Sequence, residues 1–135
     1  MTKAFFINIL RFQEEQVNLK TIFIVDDSDT NLLMAEEALE DYYRVMTLPS
    51  ADKMFSLLDK ITPDLILLDI EMPVMNGFEA LEKLKAGNWA DIPVIFLTGT
   101  TDYSIEEKSK KLGAAGIITK PFSEILLHEI INSHI

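Results

Sequence analysis

Cysteine is absent from the 135 residues, which excludes disulfides, thiol catalysis and zinc-thiolate sites. Basic residues are scarce: 12 Lys and Arg stand against 22 Asp and Glu, for a net charge of −10. Such a chain is a poor direct partner for nucleic acid, whose phosphates need a basic surface. It suits a cation or a basic patch on another protein. No apolar run reaches the length of a membrane span, so no membrane partner is expected. Neither a Walker A sequence nor GxGxxG occurs, so ATP binding by this chain is not expected. Both histidines, His128 in the last predicted helix and His134 at its end, read as ordinary helix residues.

What is present is a repeated pattern. Four short apolar runs end in polar residues: Thr21–Val25 before Asp26-Asp27, Leu65–Leu68 before Asp69, Pro93–Leu97 before Thr98, and Ala115–Thr119 before Lys120-Pro121. Runs of this kind separated by helical stretches read as buried parallel strands. The periodicity predicts strands at 21–25, 44–48, 64–68, 92–97 and 115–119. Helices are predicted over about 30–42, 50–60, 78–86, 103–112 and 122–133. Ser50 is a plausible N-cap, Ser104-x-x-Glu107 a possible capping box, and Gly87 and Gly113 helix stops. Five β–α units imply an α/β fold, a parallel sheet with helices on both faces. One domain accounts for the length.

Residues 1–19 stand apart from the domain expected over 20–135. Residues 1–20 carry Lys3, Arg11 and Lys20 against Glu14 and Glu15, so +1 against −11 for the remainder. The aromatic stretch Phe5–Phe12 is too short and too interrupted for a signal peptide. It reads as an extension of uncertain order, or as a short helix or strand that packs on a second copy.

In a parallel sheet, ligands bind at the carboxyl ends of the strands. Asp26, Asp27, Asp69, Thr98 and Lys120 should therefore converge on one crevice. Three crowded carboxylates repel one another unless a cation is present, and magnesium suits a few carboxylates plus water. An ionised carboxylate is also a nucleophile toward phosphorus. The Thr98 hydroxyl and the Lys120 ammonium would neutralise the charge of the in-line transition state. The bland alternative, strand-end caps, explains one Asp better than three.

Val25-Asp26-Asp27, Leu68-Asp69-Ile70-Glu71-Met72-Pro73-Val74-Met75-Asn76-Gly77, Leu97-Thr98-Gly99 and Lys120-Pro121 together resemble the receiver domain of bacterial two-component response regulators, of the chemotaxis-regulator type. The resemblance covers about residues 20–135. It implies a flavodoxin-like sheet of order 2-1-3-4-5, a cytoplasmic location and Mg2+ as cofactor. It implies Asp69 as phosphoacceptor, Asp27 and Asp69 as direct metal ligands, Asp26 holding the ion through water, and the Glu71 backbone carbonyl as a further ligand. Thr98 resembles the switch hydroxyl and Lys120 the phosphoryl-pairing lysine, with Lys120-Pro121 in cis; Gly99 falls where the family keeps a small residue. The donor would be a histidine kinase or histidine phosphotransfer protein. The chain itself would be no enzyme beyond accepting, and at most hydrolysing, its own phosphoryl group. A homodimer through the fourth predicted helix, the fifth strand and the last helix is a possible output. A single-domain regulator and a receiver from a longer protein both fit.

One position departs from the family pattern. Ile117 occupies the place, three before the lysine, where the family usually has Tyr or Phe. Tyr103 is a possible substitute, with a plain surface tyrosine as the other reading. A phosphate-independent interaction module is one alternative function. An aspartate-nucleophile phosphatase is another, but Asn31 stands where its first motif needs Thr or Val, and no cap insertion is present.

Overall fold

The computed structural model describes residues 2–100 and 102–135, with residues 11–17 described as backbone only. The order of elements is α1 (Lys3–Val17), β1 (Thr21–Val25), α2 (Asp29–Leu39), β2 (Arg44–Leu48), α3 (Ala51–Leu58), β3 (Leu65–Asp69), α4 (Gly77–Ala86), β4 (Val94–Thr98), α5 (Tyr103–Leu112), β5 (Gly116–Thr119) and α6 (Glu124–Asn132). The strands form one parallel sheet in the order β2-β1-β3-β4-β5. The α/β class is as the sequence pattern predicts, and the 2-1-3-4-5 order is as the resemblance implies.

Strand residues alternate between two cores because successive side chains leave a strand on opposite faces. Ile22, Ile24, Leu65, Leu67, Ile95 and Leu97 meet α2 and α6 through Leu32, Ala35, Leu39, Leu127 and Ile131. Phe23, Val25, Ile66, Leu68, Val94 and Phe96 meet α3 and α4 through Met54, Phe55, Phe78, Leu81 and Leu84. β1, β3 and β4 are buried along their whole length. Each fully buried large side chain contributes about 1.5–3 kcal/mol, so these three strands are the rigid part of the sheet. The edge strand β5 is only partly covered. No described residue of α1 belongs to either core. Among the described residues no helix is long and apolar enough to cross a membrane.

Several local expectations shift. The helix predicted over 30–42 ends at Leu39, because Tyr42 and Tyr43 both donate their N–H to the Leu39 carbonyl and turn the chain toward β2. The capping box predicted at Ser104 does not form. Asp102 is the N-cap of α5 and its carboxylate accepts from the Ser104 N–H, so Ser104 already lies inside the helix. A capping box does form on α4, where Asn76 accepts from the Glu79 N–H at 2.9 Å and Glu79 accepts from the Asn76 N–H at 3.1 Å. Ser50 caps α3 as predicted. Gly113 ends α5 with φ of 89°, a left-handed conformation that a side chain disfavours. The segment over residues 1–19, left between an extension and a short helix or strand, holds the helix α1.

Candidate functional site

The carboxyl ends of β1, β3, β4 and β5 meet at one edge of the sheet. Asp69 closes β3 and Asp26 follows β1; both are buried. Lys120, just beyond β5, reaches both. Its Nζ donates to Asp69 Oδ1 at 3.0 Å and to Asp26 Oδ2 at 3.2 Å. The Lys120-Pro121 peptide is cis, as the resemblance implies. The Lys120 N–H donates to the Thr98 carbonyl at 2.7 Å, which ties the lysine to the end of β4. Asp27 is exposed at the mouth, and Asp26, Asp27 and Asp69 each offer a carboxylate oxygen within 4.8 Å of the others.

Thr98 is buried at the end of β4, between the strands that carry Asp69 and Lys120. Its hydroxyl faces its own loop: it accepts from the Thr100 N–H at 3.2 Å and donates to the Thr100 carbonyl at 3.3 Å. Glu71 is exposed, and its backbone N–H donates to Asp69 Oδ1 at 3.3 Å. A Cβ added to Gly99 would meet nothing within 4 Å, so packing alone does not demand glycine there. Gly77 differs. A Cβ there would lie 2.5 Å from the Asp69 carbonyl oxygen and 2.8 Å from Ile70 Cα, while its N–H donates to the Ile70 carbonyl at 2.8 Å. The first turn of α4 therefore sits directly on the backbone of the strand end that holds Asp69.

Two residues hold Asp26 that the sequence reading did not assign. The Ser28 N–H donates to Asp26 Oδ1 at 2.9 Å, and Asn31 Nδ2 donates to Asp26 Oδ2 at 3.3 Å. Ser28 is also the N-cap of α2. Reading the helix as starting at Ser28 puts Asn31 three residues inside it, facing back to the strand end; that was the available signal.

Burial opposes ionisation of Asp69. The hydrogen bond from Lys120 counters this, the nearby Asp26 charge adds to it, and the carboxyl is pushed up to about 6. Burial also works against the charge on Lys120, but its hydrogen bond to Asp69 and the charge of Asp26 outweigh it, so the ammonium is held above its usual pKa. One ammonium thus leaves the acidic cluster under-neutralised. Three carboxylates within reach of one point are hard oxygen donors, so the residues present fit a divalent cation such as magnesium.

Ile117 lines a cleft of about 370 Å³ between α5 and β5, together with Ile105, Ala114, Thr100 and Thr119. Tyr103 does not take the place of an aromatic ring there. It is 70% exposed and donates its hydroxyl to Glu107 on the same helix at 2.9 Å, which is the surface reading. His128 packs between Tyr42 and Tyr43 and its Nε2 donates to the Ala38 carbonyl at 2.8 Å, a structural tie between α6 and α2.

The profile of the response regulator receiver domain matches residues 22–132. Over 122 residues the chain is 37% identical to a probable cyclic di-GMP phosphodiesterase of Vibrio cholerae, covering 90% of this chain and 28% of that protein. Among solved structures, the chemotaxis response regulator CheY4 of Vibrio cholerae superposes with a TM-score of 0.83 at 28% identity, covering 87% of this chain and 99% of that one. The receiver domain of the sensor histidine kinase PA1611 of Pseudomonas aeruginosa is 26% identical with a TM-score of 0.78, covering 85% of this chain and 96% of that one. It carries a magnesium ion coordinated in its active-site cleft. Receiver domains are signalling modules that take phosphoryl groups from histidine kinases. The chain belongs to the response regulator receiver domain family.

Proposed function

We propose that this chain is the phosphoacceptor module of a two-component relay, with Asp69 as the acceptor. The observation that carries this reading is the direct contact of Lys120 with both Asp69 and Asp26 at the strand ends, with Asp27 alongside. An ionised Asp69 oxygen forms a bond to phosphorus while the phosphorus–nitrogen bond of a donor phosphohistidine breaks. The electron pair, with a proton, stays on the departing imidazole. Lys120 already lies at the attacking carboxylate, where its ammonium offsets charge on the phosphoryl oxygens.

Asp27, Asp69 and the Glu71 backbone carbonyl would hold a magnesium ion directly, and Asp26 would hold it through water. Bound there, the ion supplies charge neutralisation and orientation for the entering group. Asp26 is itself steadied by Ser28 and Asn31. The Thr98 hydroxyl, now bonded to the Thr100 backbone, turns toward the phosphoryl group. That change frees the loop after β4 and biases the position of α5. The face formed by α5, β5 and α6 then alters its preference for a partner or a second copy. The partners are a histidine kinase or phosphotransfer protein, met in the cytoplasm.

Incubation with a small acyl phosphate and magnesium should add one phosphoryl group to the mass, and Asp69→Asn should abolish the addition. Labelling that persists in the Asn variant refutes the assignment. Ile117 in place of an aromatic ring favours one second reading, an interaction module indifferent to phosphate. Unchanged spectra and unchanged mass in solution on adding beryllofluoride with magnesium would support that reading instead.

A further inference from the structure

Among its described residues, α1 contributes to neither core and to no part of the site. It runs 15 residues. Phe5, Phe6, Ile7 and Leu10 are each about half exposed or more, and no described α1 residue enters either core. Phe5, Phe6, Ile9 and Leu10 follow the i, i+1, i+4, i+5 pattern of one helical stripe. Exposed aromatics in such a stripe need a cover.

The charge order of α1 identifies that cover. The helix has no acidic residue in its first turn and no basic residue in its last. Lys3 lies at its start, and Glu14 and Glu15 lie near its end. This is the reverse of what a helix dipole favours, since anions belong at the N-terminus and cations at the C-terminus. A second helix laid antiparallel corrects both ends at once, because it brings its acidic end to the basic start and its basic start to the acidic end. A parallel copy would set like charges side by side and correct neither end.

Lys3 and Glu14 are eleven positions apart in the helix, about three turns at ~3.6 residues per turn. An antiparallel pair centred on Ile9 sets position 3 of each copy level with positions 14 and 15 of the other, with the aromatic stripes between them. This self-complementary arrangement is a closed two-fold interface. We propose that α1 is a homodimerisation helix that pairs antiparallel with the α1 of a second copy about Ile9, leaving the α5–β5–α6 face free for output.

The absence of cysteine makes a direct test possible. In the full chain, Ile9→Cys should form an intermolecular disulfide under mild air oxidation, because residue 9 meets its own counterpart at the axis. Ala4→Cys should not, since the two copies of position 4 lie ~15 Å apart along the pair. Equal cross-linking of both variants, or none from either, overturns the proposal.

Sedimentation should give a mass that rises with concentration toward twice 15.3 kDa, and Lys3→Glu should lower this association several-fold. Adding Glu14→Lys to Lys3→Glu should restore it, a rescue that a merely apolar contact would not give. Matching thermal unfolding of all variants shows that the domain is intact. A chain that stays monomeric at ~0.1 mM, including one whose α1 instead binds phosphatidylcholine–phosphatidylglycerol vesicles or the α2–α6 groove of its own domain, overturns the proposal.

Discussion

The two flanks of the site are built to different standards. α4 and α5 are both ten residues long, and each follows a strand end that carries a site residue. α4 buries Gly77, Phe78, Ala80, Leu81 and Leu84, while α5 buries only Ser109. α4 begins in a complete capping box and rests on the Asp69 backbone. α5 begins at Asp102 and overlies a cleft of about 370 Å³. The Asp69 side is fixed and the Thr98 side is loosely held. Loosely packed elements open at low free energy, and elements that move in switching are drawn from that class. The proposed function, in which one carboxylate is held still and one face shifts, fits this asymmetry.

The largest test of the contrast is truncation in the core of each helix. Leu81→Ala on α4 should cost about 2–5 kcal/mol in denaturant unfolding. Ile105→Ala on α5, which is only partly buried, should cost less than about 1.5 kcal/mol. Equal losses would erase the distinction.

The second test uses Asp69 itself. The Asp69 carboxyl sits at about 6 in the folded chain, above the ordinary range it regains on unfolding. The folded state therefore binds this proton more tightly. The contribution favours folding below the ordinary carboxylate pKa and is lost as pH rises through about 6. Asp69→Asn removes that titration. Without magnesium, the variant should melt a few degrees above the unchanged chain at pH 7, with the gap closing toward pH 4. A gap that widens on acidification contradicts the burial argument.

Third, the fixed flank contains one strained link. Val74, in the loop between β3 and α4, has φ of 71° and is 96% exposed. A β-branched residue is disfavoured in that region, where asparagine is tolerated. Val74→Asn should stabilise the chain by about 1 kcal/mol, read as a higher unfolding midpoint with unchanged slope. The smallest expected effect is on the loose flank. Ile117→Tyr should slow amide hydrogen exchange across α5 and leave α4 unchanged. Exchange slowed equally in both helices would mean that the cleft does not set the looseness of α5.

The sheet was legible because each central strand is a continuous apolar run, and the strand-end polar residues stand out against it. Lys120 and the acids at 26 and 69 meet as the strand-end pattern predicts. The helix starts were harder to read. Ser104-x-x-Glu107 has the form of a capping box, but Asp102 lies two residues earlier and takes the backbone donor first. Asn31 could be placed at the site only from the true start of α2, since its role depends on facing back across one helical turn. The orientation of the Thr98 hydroxyl toward Thr100 has no counterpart in spacing or composition. It is set by the path of the loop after β4.

Gly77 has a consequence for how this protein tolerates change. A methyl group there would meet backbone, which cannot rotate away as a side-chain tip can. In a saturation library, position 77 should accept no replacement, although it carries no functional group. Loss of signalling in such clones would mimic loss of the proposed phosphate-accepting chemistry. Only a folding assay would separate the two, so a screen scored on output alone would wrongly count this glycine among the reacting residues.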